Sequence, residues 1–246
     1  MLLSIKRLIN KIEMSYLFRF GYWINFPFKY AFPSNKILSN WISTLALITN
    51  DLILSNRNLI DEFDKHPQKG TPEVSYYLWL TCAHYREAAK YYSKTLKHPE
   101  ISSFIESLPL STENQLNQMK NDFEPWDESL LKTIVKPIRD IFIHYPTLDS
   151  KDWVNVWGKL DEQFGELHQK GSALGDSRWI FADDIRINLI DQRIKETGYT
   201  TEKAISLIGN AVVNMIKFSQ TVIIEYFYRL PNGIVNRGRK PNIRND

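Results

Sequence analysis

The segment Arg139-Asp140-Ile141-Phe142-Ile143-His144, closed by Tyr145-Pro146, places a permanent cation and a group that titrates near neutrality at the C-terminal end of one predicted helix. That pairing suits holding and cleaving a phosphodiester: a guanidinium grips phosphate oxygens through forked donors, and an imidazole moves protons. Positions five apart on an ideal helix are rotated by about 140° and separated by about 7.5 Å along the axis, so the two side chains are not automatic neighbours. The helix must end for them to converge. Tyr145 precedes a proline and is pushed out of the α region, which loosens the last turn around His144. Pro137, inside the same helix, removes one backbone hydrogen bond and predicts a kink just before Arg139.

Apolar residues recur at three- and four-residue intervals, with no sustained alternation bounded by hairpin turns, which predicts an all-α protein. Residues 2–20 suit an amphipathic helix leading into an aromatic segment, 20–30, that Pro27 and Pro33 keep from being helical. A long helix is signalled over 34–65 and stopped by His66-Pro67-Gln68-Lys69-Gly70. Thr71-Pro72-Glu73 opens a second, running to about Leu96 through Val74, Tyr77, Leu78, Trp79, Cys82, Tyr85, Ala88, Ala89 and Tyr92. The short turn between them predicts an antiparallel hairpin.

Shorter helices are expected over 99–108 and 111–122. Pro125-Trp126-Asp127-Glu128 opens the helix that carries Leu130, Leu131, Ile134, Val135, Ile138, Ile141 and Phe142. A further helix is expected from 151 to about 169, and the stretch 172–192 reads as helix more than as a short extended pair. A last helix, from Thr201 to Tyr228, is apolar on nearly every face and therefore central.

At this point the Arg-x4-His spacing at the end of a bundle helix, with a polar residue directly after the arginine, resembles the signature of the HEPN superfamily. Arg139 matches the arginine, Asp140 the polar position and His144 the histidine. The resemblance spans roughly 35–228 and implies a HEPN-like helical bundle with an antiparallel long-helix hairpin and peripheral short helices. It implies a metal-independent endoribonuclease, plausible in bacterial defence or a toxin-antitoxin system, that needs no cofactor. RNA is then the substrate, two copies form a homodimer that brings two motifs together, and an antitoxin or inhibitor protein is the natural regulator. The look is that of abortive-infection-type members. Toxin members paired with nucleotidyltransferase antitoxins often carry a tyrosine two residues after the histidine, whereas here Tyr145 follows directly and Pro146 takes that place.

A second reading of the same fold is a non-catalytic helical module that binds nucleic acid or a protein partner. In it Arg139 and Asp140 form surface ion pairs, and His144 caps the last carbonyls of its helix.

His84 and Arg86, two positions apart on the second long helix, face different ways. Either could support the motif helix or contact RNA, and a buried, satisfied His84 is the plainer role. Asn50, Asp51 and Asn56 interrupt the apolar face of the first long helix, and Asn50 or Asp51 could anchor the Arg139 side chain or face solvent. Asp183-Asp184 diverge on a helix and make a poor metal site. His66, His98 and His168 lie in capping territory.

Composition sets outer bounds. Cys82 is the only cysteine, so neither an intrachain disulfide nor a thiolate metal cluster can form, and a reducing compartment fits. No secretion signal is read at the N-terminus, because Lys11 and Glu13 interrupt its apolar run. The longest uncharged stretches fall short of a spanning helix, so a cytoplasmic protein without integral membrane association is expected. Net charge is only +3, but Arg229, Arg237, Arg239, Lys240 and Arg244 make residues 229–246 a basic, flexible tail that either adds non-specific phosphate affinity or is a solvated tail of no consequence. The expected organisation is an N-terminal segment over 1–33, a helical domain over 34–228 and that tail.

Overall fold

A computed structural model of the chain describes residues 22–33, 36–65, 71–123, 129–143, 156–158, 168–169, 177–178, 180–231 and 236–239. The protein is all-α, with two short antiparallel strand pairs added to the helices. In chain order the elements are β1 (Tyr22–Asn25), α1 (Phe28–Ala31), α2 (Ile37–Lys65), α3 (Pro72–Thr95), α4 (Pro99–Glu106) and α5 (Leu110–Asn121). A π-helical turn, Leu131–Val135, then runs directly into α6 (Lys136–Ile143). It is followed by β2 (His168–Gln169), β3 (Ser177–Arg178), α7 (Ile180–Glu196), α8 (Thr201–Arg229) and β4 (Asn236–Arg239).

The three long helices form where apolar spacing and end signals agree. α3 starts as its sequence dictates: Thr71 Oγ1 accepts the Val74 amide at 3.2 Å, and Pro72, which has no amide to leave unpaired, takes the first helical position. Its buried positions Val74, Leu78, Cys82, Tyr85, Ala89 and Tyr92 recur every three or four residues. α2 buries Trp41, Ile42, Leu45, Leu52, Leu59 and Ile60 on the same rhythm. In α8 the consecutive residues Ala211, Val212 and Val213 are all buried, so more than one face of that helix meets protein.

The chain divides into two compact units, and α2, α3 and α8 contribute residues to both. The first comprises Met1–Asp51, Ala88–Lys120 and Ala211–Asp246. Polar links between distant segments hold its core in register. Trp41 Nε1 donates to Thr95 Oγ1 at 3.1 Å, Ser219 donates to the Met215 carbonyl at 2.7 Å, and Tyr92 in turn hydrogen-bonds Ser219. The Tyr226 hydroxyl donates to the Ala31 carbonyl and meets Ser39 at 3.3 Å.

The aromatic segment is divided in its fate. Phe32 stacks on Tyr226 at 5.9 Å and Phe26 meets Phe227 at 4.7 Å, yet Phe28 and Tyr30 remain exposed. Between the two prolines one helical turn does form, with Pro27 as its cap. The tail also departs from expectation: Asn236–Arg239 pairs antiparallel with Tyr22–Asn25, with Arg237 opposite Ile24 and Gly238 opposite Trp23. Ladder bonds are main-chain bonds, and Pro231 and Pro241 lie outside the paired residues, so a basic composition does not forbid them.

The second unit comprises Leu52–Glu87 and Asn121–Asn210 and carries the Arg139 segment. Here α6 packs on α7 and on the π-helical turn that precedes it. His168 and Gln169, expected at the end of a helix, are extended and pair with Arg178 and Ser177. Two residues are too few to carry a periodic signal. α7 ends in a left-handed turn at Gly198, φ +78°, whose amide bonds to the Lys195 carbonyl at 2.9 Å.

Candidate active site

The helix that presents Arg139 begins at Ser129, whose hydroxyl accepts the Lys132 amide at 3.2 Å. The expected start at Pro125 to Glu128 lies outside the described residues. Leu131, Ile134, Val135 and Ile138 form its buried stripe, each contributing about 1.5–3 kcal/mol of apolar burial. The irregularity foreseen from Pro137 is found one turn earlier, as the π-helical turn. Pro137 cannot donate a backbone hydrogen bond and its ring crowds the carbonyl four residues back, and the wider turn at Leu131–Val135 relieves this, with the Lys136 amide reaching the Leu131 carbonyl. One extra residue in the turn rotates everything after it by about 100° relative to an unbroken helix. Arg139 therefore emerges beside the buried Ile138 with only 16% of its side chain exposed.

Its guanidinium is held on two sides. Nη1 donates to Asp140 Oδ1 at 2.9 Å, and Nη2 lies 3.9 Å from Glu87 Oε1 on α3. The same Glu87 oxygen accepts from Arg86 Nη1 at 3.0 Å, so two guanidinium groups converge on one carboxylate oxygen. Asp140 Oδ2 takes the Lys136 ammonium at 3.1 Å, one helical turn away. Arg86, Lys136 and Arg139 are thus joined to Glu87 and Asp140 among the described residues. Nε of Arg86 and Nε of Arg139 are both buried without a hydrogen-bond partner.

Electrostatics follows from this geometry. Partial burial pushes the Asp140 carboxyl up, but hydrogen bonds from Arg139 and Lys136, with their charges, outweigh it and hold the group below the usual carboxylate range. Tyr85, next to Arg86 on α3, is driven well above the ordinary phenol range by burial and further by the negative charge of Asp122. Its hydroxyl is buried without a partner. Burial pushes the Cys82 thiol up as well, so it is a packed side chain and not a nucleophile.

The residues singled out from sequence fare differently. Arg139, Asp140 and Arg86 are brought together. His144 and Tyr145 lie outside the described residues; α6 is described as far as Ile143. His84 is half-buried on α3 and has interactions of its own. Asn50 and Asp51 are exposed residues of the first unit, while Arg139 of the second takes its partners from Asp140 and Glu87. Asn56 is buried, with its Oδ1 unpartnered. His98 does cap α4, its Nδ1 accepting the Glu100 amide at 3.3 Å. Asp183 pairs with Arg186 at 3.5 Å.

Glu87 and Lys136 were not singled out for the site. The Lys136-to-Asp140 spacing of four was a readable signal for one of them. The role of Glu87 depends on α3 and α6 meeting in space. Among the described residues no group of three or more His, Cys, Asp or Glu is placed to hold a metal ion. Comparison with models of known families, with curated proteins and with solved structures gives no match.

Proposed function

We propose that this chain is a HEPN-like endoribonuclease that cleaves RNA without a metal ion, with Arg139 as phosphate holder and His144 as proton carrier. The observation that carries the reading is the convergence of Arg139 and Arg86, mostly buried and from different helices, on a single carboxylate oxygen. Two guanidinium groups that meet at one solvent-exposed carboxylate oxygen favour a phosphate. The all-α fold, and the Trp41 to Thr95 bond that ties the start of α2 to the end of α3, support the antiparallel hairpin of such a bundle.

In the proposed reaction His144 takes the proton of a ribose 2′-hydroxyl, whose oxygen attacks phosphorus while the bond to the 5′-oxygen breaks. The leaving oxygen takes a proton from water, and the products carry a 2′,3′-cyclic phosphate and a 5′-hydroxyl. Arg139 stabilises the charge that builds on the non-bridging oxygens, and Asp140 fixes its orientation. A homodimer places two such motifs on one cleft, and an inhibitor protein restrains them. The protein works in the cytoplasm, in a defence or toxin-antitoxin setting. Incubation of purified protein with a defined RNA in EDTA tests the reaction: cyclic-phosphate and 5′-hydroxyl ends are expected. Ends of the opposite polarity, or intact RNA, contradict it.

A second reading is favoured by one observation. Both terminal nitrogens of Arg139 already face carboxylates, which suits a non-catalytic module that binds nucleic acid or a protein.

A further inference from the structure

Arg86 and Arg139 reach Glu87 Oε1 at 3.0 and 3.9 Å, from α3 and α6 respectively. Both side chains are mostly buried, at 14% and 16% exposed, whereas the carboxylate between them is 59% exposed. The cations are thus built into the protein and the anion is the outer, solvent-facing member. Asp140 holds Arg139 from the other side and would keep it in place if Glu87 left. Arg86 has no acid partner besides Glu87 among the described residues.

We propose that Arg86 and Arg139 together form the seat for one phosphate of an RNA strand, and that the Glu87 carboxylate occupies this seat until a phosphodiester displaces it. The seat rests on the nuclease reading for the identity of its ligand as RNA.

The chemistry favours exchange. A carboxylate presents one oxygen to both guanidinium groups, at unequal distances, whereas a phosphodiester presents two non-bridging oxygens, one for each. An exposed carboxylate meets these two cations in high dielectric, so each of those pairings is weak. Unpartnered donors remain on both arginines, so the protein does not satisfy the pair by itself. Arg86 is accordingly a binding residue of the same site, and Glu87 an internal competitor.

The test uses full-length protein and a fluorescent 2′-O-methyl RNA oligonucleotide, which lacks the attacking hydroxyl and reports binding alone. Glu87→Gln removes the competing charge at an exposed position and is expected to tighten binding about tenfold. Arg86→Ala should weaken it about tenfold and lower the slope of log affinity against log salt by about one, and Arg86→Lys should restore the slope but not the full affinity. Inorganic phosphate should compete better than chloride at equal ionic strength, and better against Glu87→Gln than against wild type. Unchanged affinity in Glu87→Gln overturns the proposal even if Arg86→Ala fails to fold. If the binding changes appear while unmodified RNA stays intact, the nuclease reading fails and the seat stands; cleavage with binding indifferent to both positions gives the reverse.

Discussion

Asp140 shows how one carboxylate serves both structure and site. It accepts from Arg139 at 2.9 Å and from Lys136 at 3.1 Å, and the pair of cations holds it charged below the ordinary range. Because the folded value is depressed, the stability Asp140 contributes is complete above the unfolded value, near pH 4, and is lost as pH falls through the folded one. Asp140→Asn should therefore cost under about 1 kcal/mol at pH 7, given partial exposure, and less still at pH 3. Urea denaturation at the two pH values checks this. A gap between wild type and variant that widens on acidification would mean that the carboxylate is not stabilised by these cations. In the same variant Arg139 loses its nearer anchor, so RNA cleavage should fall about tenfold or more while the fold persists.

At the scale of elements, the site depends on α6 being delivered at the right rotation and held there. The π-helical turn supplies the rotation, and packing on α7 supplies the hold. α7 in turn stops at Gly198, where φ of +78° favours a residue without a Cβ. Gly198→Ala should cost about 1–2 kcal/mol although no atom lies within 4 Å of the new methyl, because the penalty is in the backbone. Gly158, helical and with nothing within 4 Å of an added Cβ among the described residues, is the control: Gly158→Ala should be neutral or stabilise by up to about 1 kcal/mol. Equal effects on the melting temperature would refute this account of the turn.

The long helices were legible because caps, breakers and spacing agree in them, as at Thr71-Pro72 and across Val74 to Tyr92. The π-helical turn was half legible: Pro137 announced an irregularity, but where the backbone yields depends on the packing of Leu131 and Ile134. β2, β3 and β4 were not legible, since pairs of two to four residues rest on main-chain bonds that leave no side-chain rhythm. In the site, Arg139 and Asp140 stood out by adjacency. The meeting of Arg86 with Arg139 at Glu87 is a tertiary event that no local pattern records.

For the whole molecule, α2 and α8 are long and apolar enough to cross a membrane by length and composition alone. A count of strictly uncharged runs passes over them because isolated charges such as Asp51 and Lys217 interrupt each. Their buried faces carry Ser39, Thr49, Ser55 and Asn56 in α2 and Ser219 in α8, several of them hydrogen-bonded within the protein. A third of the apolar window of α2 and half of that of α8 are buried within the protein. On the proposed cytoplasmic reading the chain stays in the supernatant after ultracentrifugation without detergent. A pellet released only by detergent would make them spanning segments.

The proposed cleavage needs a guanidinium and an imidazole acting together on RNA. Cleavage rates in EDTA for wild type, Arg139→Ala and His144→Ala, each shown to be folded by circular dichroism, test this most directly. Wild type should cleave, and each substitution should slow it by about 10²–10⁴-fold. Cleavage at the wild-type rate in both variants would contradict the proposed site.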